Sequence, residues 1–182
     1  TAGVIGFGNI GSRVGSILKE GFKCRLLAYD PYLSDELLRE KGAIPVSLEE
    51  LLRESDIISL NAFVNDKSYH LIKHEQIQQM KDHVMIVNTA RGELVDDRAI
   101  IQAVIDRKIF SYGTDVVEGE PIDSSHPLFS SPFITVTPHT SAYTYECLEG
   151  MGEKCVSDCE KVAAGEVPLN LINKELIELV NQ

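Results

Sequence analysis

The 182-residue chain lacks any run of apolar residues approaching the ~18 that a membrane-spanning helix requires, so none is expected. No basic stretch leads into an apolar one, so no secretory signal is visible. Positive charge is scarce. Lys and Arg number 17 against 28 Asp and Glu, for a formal net charge of −11. A surface this acidic repels phosphate backbones and anionic headgroups, which argues against nucleic-acid or membrane binding at large. It leaves room for a ligand held locally by backbone groups and one or two Arg. Cysteine is also sparse: Cys24, Cys147, Cys155 and Cys159 form no Cys-x-x-Cys pair. Their spacing suits reduced thiols in a cytoplasmic protein rather than a metal site or a disulfide framework. The chain has no initiating Met and enters a core-like run at Ala2, which reads as a piece of a longer protein.

What is present is ordinary for a globular domain: 43% apolar and 25% charged residues. One domain of this size buries roughly 70% of the surface its unfolded form exposes. Strand-like runs alternate with helical patterns. Strands are expected at Ala2–Gly6, Cys24–Tyr29, Asp56–Leu60, Val84–Asn88, Ile109–Asp115 and Phe133–Val136, with a brief extended piece at Ile44–Val46. In the first helical pattern Ile10, Val14, Ile17 and Leu18 share a face. Further helices are expected at Ser34–Lys41, from the capping box Ser47–Glu50 to Glu54, around His74–Met80, at Asp96–Lys108 with Ala99, Ile100, Ala103 and Val104 inward, and at Tyr143–Ala164, ended by Gly165. Residues 119–132 read as a loop, and the tail carries a short helix near Lys174–Val180. Strand and helix in alternation mean an α/β fold, a doubly wound parallel sheet covered on both faces. Ligands on such sheets bind at the carboxyl ends of the strands, where the strand order reverses.

Those ends carry the chemistry. Gly6-Phe7-Gly8-Asn9-Ile10-Gly11 is G-x-G-x-x-G between a strand and a helix. Gly6 allows the tight turn, Gly8 leaves space for a pyrophosphate and Gly11 brings the helix close to the sheet, so the helix N-terminus faces the phosphates. Asp30 follows 19 residues after Gly11 at the next strand end, placed to accept from ribose hydroxyls and to repel the extra phosphate of NADP; no Arg follows it, which favours NAD. Three later strand ends carry Arg91, the acids Asp115, Glu118 and Glu120, and His139. Taken singly, each has a plain reading as a surface or loop residue. Together they suit dehydrogenation of an alcohol beside a carboxylate. Arg holds the carboxylate by two parallel hydrogen bonds, His exchanges the hydroxyl proton, and an acid orients the His. His70, His74, His83 and His126 do not share this placement and are expected at the surface or as caps.

From its first residues to about Ala164 the chain resembles the NAD-binding domain of the D-isomer-specific 2-hydroxyacid dehydrogenases. The resemblance rests on Gly3–Gly15, Tyr29-Asp30-Pro31, Asn88–Asp96, Gly113–Pro121 and Thr137–Tyr145. It implies a Rossmann domain at residues 1–164 with most of the family's substrate domain absent, residues 165–182 being a tail that belongs to that second domain. It implies Arg91 on the substrate carboxylate, His139 as general acid/base and Glu120, the acid before Pro121, as its partner; Glu118 matches no catalytic position. For NAD it implies Gly6, Gly8, Asn9, Ile10, Gly11, Asp30, Asn61, Ala62, Thr89, Ala90, Asp115 and Ser141. Asp115 would contact the nicotinamide amide. The substrate is then a small D-2-hydroxy acid or 2-keto acid, the partner a second copy in a homodimer, and the isolated chain inactive or weakly active. The loop Ser59-Leu60-Asn61-Ala62-Phe63 departs from the family's Ser-Leu-His followed by Pro, and Tyr143-Thr144 leans toward the D-lactate dehydrogenase branch. The alternative is an NAD-sensing module of corepressor type, which also resembles this family.

Overall fold

The strands are, in chain order, β1 (Ala2–Ile5), β2 (Leu26–Tyr29), β3 (Ile44–Pro45), β4 (Ile57–Leu60), β5 (Val84–Asn88), β6 (Ile109–Thr114) and β7 (Ile134–Val136). In this computed structural model, which describes residues 1–173, they form one sheet in the order β3-β2-β1-β4-β5-β6-β7 with every pairing parallel. The doubly wound sheet is thus as expected. The order reverses between β1 and β4, which opens a crevice at their carboxyl ends. The helix expected near Lys174–Val180 lies outside the described residues.

Helices α1 (Asn9–Phe22), α2 (Asp35–Glu40), α3 (Leu48–Glu54), α4 (His74–Gln79) and α5 (Asp97–Ile105) connect the strands. Successive strand residues point to opposite faces, and the core divides accordingly. Val4, Phe7, Leu26, Ala28, Leu38 and Ala43 form one apolar layer. Ile5, Leu27, Ile58, Ile86, Ile100 and Val104 belong to the larger one. Ser34, Ser47 and Asp96 cap their helices, each side-chain oxygen accepting from backbone N–H groups of the first turn.

Helix α1 packs through its glycines rather than through the apolar face shared by Ile10, Val14, Ile17 and Leu18. Its buried residues are Gly11 and Gly15, while Ile10 and Ile17 are 68% and 62% exposed. A Cβ at Gly15 would come within 2.9 Å of the Phe7 ring, so the glycine face, not the apolar stripe, lies against the sheet. Element ends also move. Lys23 takes a left-handed conformation and Cys24 N–H bonds Leu18 O, so β2 starts at Leu26 rather than Cys24. Arg107, likewise left-handed, follows the end of α5. The loop 119–132 contains a 3-10 turn at Pro127–Ser130.

Residues Thr1–His139 make one compact unit and Thr140–Gln182 a second. In the second, α6 (Tyr145–Ala163) starts on a Thr144 cap and is followed by Gly165 at positive φ. Asp158 accepts from Leu169 N–H at 2.9 Å and Asn170 Nδ2 at 2.8 Å, folding the following segment onto the helix; those bonds hold its carboxyl below the usual range, the Asn170 bond foremost. Among the described residues all four cysteines are free, no helix is long and apolar enough to cross a membrane, and no group of three or more His, Cys, Asp or Glu could hold a metal ion.

Candidate functional site

The turn after β1 is set by its glycines. Gly6 sits at φ +83, where a Cβ would meet Ala62 N at 2.6 Å, and a Cβ at Gly11 would lie 1.9 Å from Gly6 O. At Gly8 a Cβ would meet nothing within 4 Å, so the space over the turn is open. Gly8 is the α1 N-cap and supplies no side-chain oxygen, and the first turn of α1 holds no acid. Its first N–H groups and partial positive charge therefore face the crevice unneutralised.

Asp30 closes the turn. Its Oδ2 accepts from Phe7 N–H at 2.7 Å and its Oδ1 from Tyr32 N–H at 2.9 Å, fixing the carboxylate across the ends of β1 and β2. A carboxylate has about four acceptor positions, so capacity remains for a diol. A cavity of about 340 Å³ opens here, lined among others by Gly6, Gly8, Asp30, Tyr32, Asn61 and Phe63. Tyr32 and Phe63 stand 5.2 Å apart, and Asn65 Nδ2 donates to the Tyr32 hydroxyl at 2.8 Å. No motif assigns a role to these two rings or to Asn65. The position after Asp30-Pro31 and the aromatic in the altered loop were the only signals for them. Among the described residues Asn61 Oδ1 is buried without a hydrogen-bond partner. An unmet acceptor is uncommon in a folded interior and marks a place for a donor. The open turn, the fixed carboxylate and this orphan oxygen together fit a dinucleotide.

A second cavity, about 470 Å³, runs on from Ile10, Asn61 and Ala62 to Thr89, Ala90 and Arg91. Asn88 holds that last segment from below. Fully buried, it donates through Nδ2 to Arg91 O at 2.8 Å and accepts at Oδ1 from Ala90 N–H at 3.0 Å. A polar residue at the end of an apolar strand was the available sign of this role. Asp115 is also buried and accepts from the Thr137 hydroxyl at 2.6 Å, tying the end of β6 to the segment after β7.

His139 follows β7 in the left-handed conformation, φ 55, uncommon for a residue with a side chain. Its Nδ1 bonds Glu120 Oε1, while Glu120 Oε2 accepts from Val117 N–H at 3.2 Å. Both line a cavity of about 420 Å³ with Pro121, Ile122, Phe129 and Pro138. His139 thus pairs with Glu120, whereas Glu118 pairs with Tyr69 and His70. Asn9 lies exposed on the first turn of α1 beside Ile10, and Ser141 falls in the second unit. Of the other histidines, His74 and His83 are exposed and His126 Nδ1 caps the 3-10 turn. His70 is part-buried at the surface, its Nε2 2.7 Å from Glu118 Oε2.

Residues 1–141 match the family model described as "D-isomer specific 2-hydroxyacid dehydrogenase, NAD binding domain". The chain belongs to this family. It is 36% identical to a glyoxylate reductase of Korarchaeum cryptofilum over 98% of its own length and 54% of the relative's. The apo D-lactate dehydrogenase structure from Escherichia coli aligns at 41% identity with a TM-score of 0.81, over 93% of this chain and 52% of that one. The Aquifex aeolicus D-lactate dehydrogenase complexed with NAD and lactic acid aligns at 36% identity and TM-score 0.81, over 91% and 54%. The chain thus spans about half the length of the curated relatives it matches. It carries the family's NAD-binding domain, and NAD is its cofactor.

Asp97 lies apart from this site, beside a cavity it shares with His70, Glu118 and His126. Burial first, then the nearby acids Glu118 and Asp96, push its carboxyl up to about 6, against the pull of His126 and His70. An acid raised in the folded state stabilises the fold below its unfolded pKa of about 4, and that stability is lost as pH rises through 6. Asp97→Asn is therefore expected to raise stability at pH 8 by about 1–2 kcal/mol, with the gain vanishing by pH 4. Urea midpoints at the two pH values check it; equal gains at both would refute it.

Proposed function

We propose that this domain serves a dehydrogenase that interconverts a D-2-hydroxy acid and its 2-keto acid. The observation that carries the reading is the His139–Glu120 pair on the same sheet end as Arg91 and the glycine turn. Gly6, Gly8, Asn9, Ile10 and Gly11 would hold the diphosphate of NAD, Asp30 the adenosine ribose, and Asn61, Ala62, Thr89, Ala90, Asp115 and Ser141 the remainder. NAD supplies the hydride acceptor in one direction and the hydride donor in the other. Arg91 grips the substrate carboxylate with its planar fork. Because Glu120 accepts the hydrogen bond of His139 Nδ1–H, Nε2 is the free base. It accepts the hydroxyl proton during oxidation and returns it to the carbonyl oxygen during reduction. Glu120 stabilises the imidazolium formed between.

Several finer assignments go with this reading. Residues 165–182 belong with a substrate domain, the D-lactate dehydrogenase branch is favoured by Tyr143-Thr144, the assembly is a homodimer, and free cysteines suit a cytoplasmic setting. The relatives named above are dehydrogenases and reductases, and nothing in the comparisons favours the corepressor-type sensor.

The test is a panel of glyoxylate, pyruvate and hydroxypyruvate with NADH and NADPH, on the intact enzyme and on this chain alone. NADH-dependent reduction by the intact enzyme is expected, with NADH binding but little turnover by the chain alone, since water exclusion and substrate placement need both walls of a cleft. Asp30→Ala should weaken NADH binding about 10- to 100-fold, as loss of hydrogen bonds to a charged group does, and narrow the gap to NADPH. A preference for NADPH in the unmodified protein would sink the assignment of Asp30.

A further inference from the structure

Outside the groups assigned above, one cluster of side chains converges on a single carboxylate, that of Glu118. Tyr69 donates its hydroxyl to Oε1 at 2.6 Å, and His70 Nε2 stands 2.7 Å from Oε2. The two rings stack, centroids 4.0 Å apart and 15° from parallel. His70 holds the left-handed conformation, φ 47, and its N–H donates to Glu93 O at 2.8 Å. Its loop is therefore stitched both to Glu118 and to the segment that follows Arg91.

We infer that Glu118, anchored by Tyr69 and His70, is a positioning residue that holds the two halves of the reactive site in register. The inference rests on the reading of Arg91, Glu120 and His139 given above. The connections are short and continuous. Gly92, next to Arg91, packs flush on Glu118: a Cβ there would lie 2.1 Å from Glu118 N and 2.2 Å from Val117 C. On the other side, Val117 N–H holds Glu120 Oε2, and Glu120 Oε1 holds His139. Between Glu118 and Glu120 stands only Gly119, at φ +75, the most permissive kind of backbone. A backbone bond from Glu120 N–H to Val117 O at 3.3 Å closes this turn, and the Glu118 side chain ties it to the neighbouring loop by two hydrogen bonds to a charged acceptor, stronger than neutral ones. Those same two bonds, from Tyr69 first and then His70, draw the Glu118 carboxyl below its usual range and keep it ionised. With the anchor removed, the turn opens, Val117 N–H releases Glu120, and His139 loses the acceptor that fixes its Nδ1 proton.

NMR on this chain at alkaline pH tests the idea through the His139 ring nitrogens, together with exchange of the Val117 amide. The unmodified chain should hold His139 in the Nδ1–H form, and Glu120→Ala should release it to the Nε2–H form. Glu118→Ala should shift His139 the same way and speed Val117 exchange about tenfold, the loss of one ordinary hydrogen bond. Tyr69→Phe, which keeps the ring and removes one bond, should act in the same direction to a smaller extent, and it decides the matter alone if Glu118→Ala does not fold. Folded variants that keep the Nδ1–H form and unmodified Val117 exchange overturn the role of Glu118 and leave the Glu120–His139 pair standing. An Nε2–H ring in the unmodified chain overturns that pair and this inference with it.

Discussion

His139→Gln in the intact enzyme is expected to lower kcat by about 100- to 10,000-fold, the usual contribution of a positioned acid/base group, while leaving NADH affinity nearly unchanged. The split follows from geometry. His139 and Glu120 line a cavity beside Ile122, Phe129 and Pro138, whereas the glycine turn and Asp30 line another. Gln can accept one hydrogen bond where His139 does, but it cannot carry a proton between pH 5 and 8. Glu120→Gln should lose less, since it leaves the base in place and removes only the charge that orients it. Steady-state kinetics with NADH titration separates the two. A variant at His139 that retains its rate would mean that the proton moves elsewhere.

The second large effect distinguishes two glycines three residues apart. Gly11→Ala should destabilise the fold by at least about 3 kcal/mol, a fall in Tm of about 6 °C or more, because its Cβ would sit 1.9 Å from Gly6 O, a backbone atom held by the neighbouring loop. Gly8→Val should cost no more than about 1 kcal/mol, the worth of an N-cap, because nothing lies within 4 Å of its Cβ. Its effect falls on the ligand: NADH binding should weaken by about two orders of magnitude, near 2.7 kcal/mol. Thermal melts and calorimetric titration of both variants read the contrast. Equal losses of stability would show that the open space over Gly8 is filled by the protein itself.

The α/β alternation, the parallel sheet, the glycine turn with its acid, and the order in which Arg91, Glu120 and His139 arrive at the strand ends are all legible in the sequence. These features are local or periodic. Apolar spacing distinguishes strand from helix, and a glycine pattern describes a single turn. Only the tertiary structure decided how neighbouring loops touch. It turned the glycine face of α1, not Ile10 and Ile17, toward the sheet, because close packing against Phe7 leaves no space for side chains. It set His70 on Glu118, an acid with no role that its motif could supply. It buried Asn88 beneath the segment of Arg91 and placed Tyr32 beside Phe63 at the crevice. The His70–Glu118 contact joins residues 48 positions apart in sequence. It arises from the approach of separate loops over one sheet end, and no spacing along the chain encodes that approach.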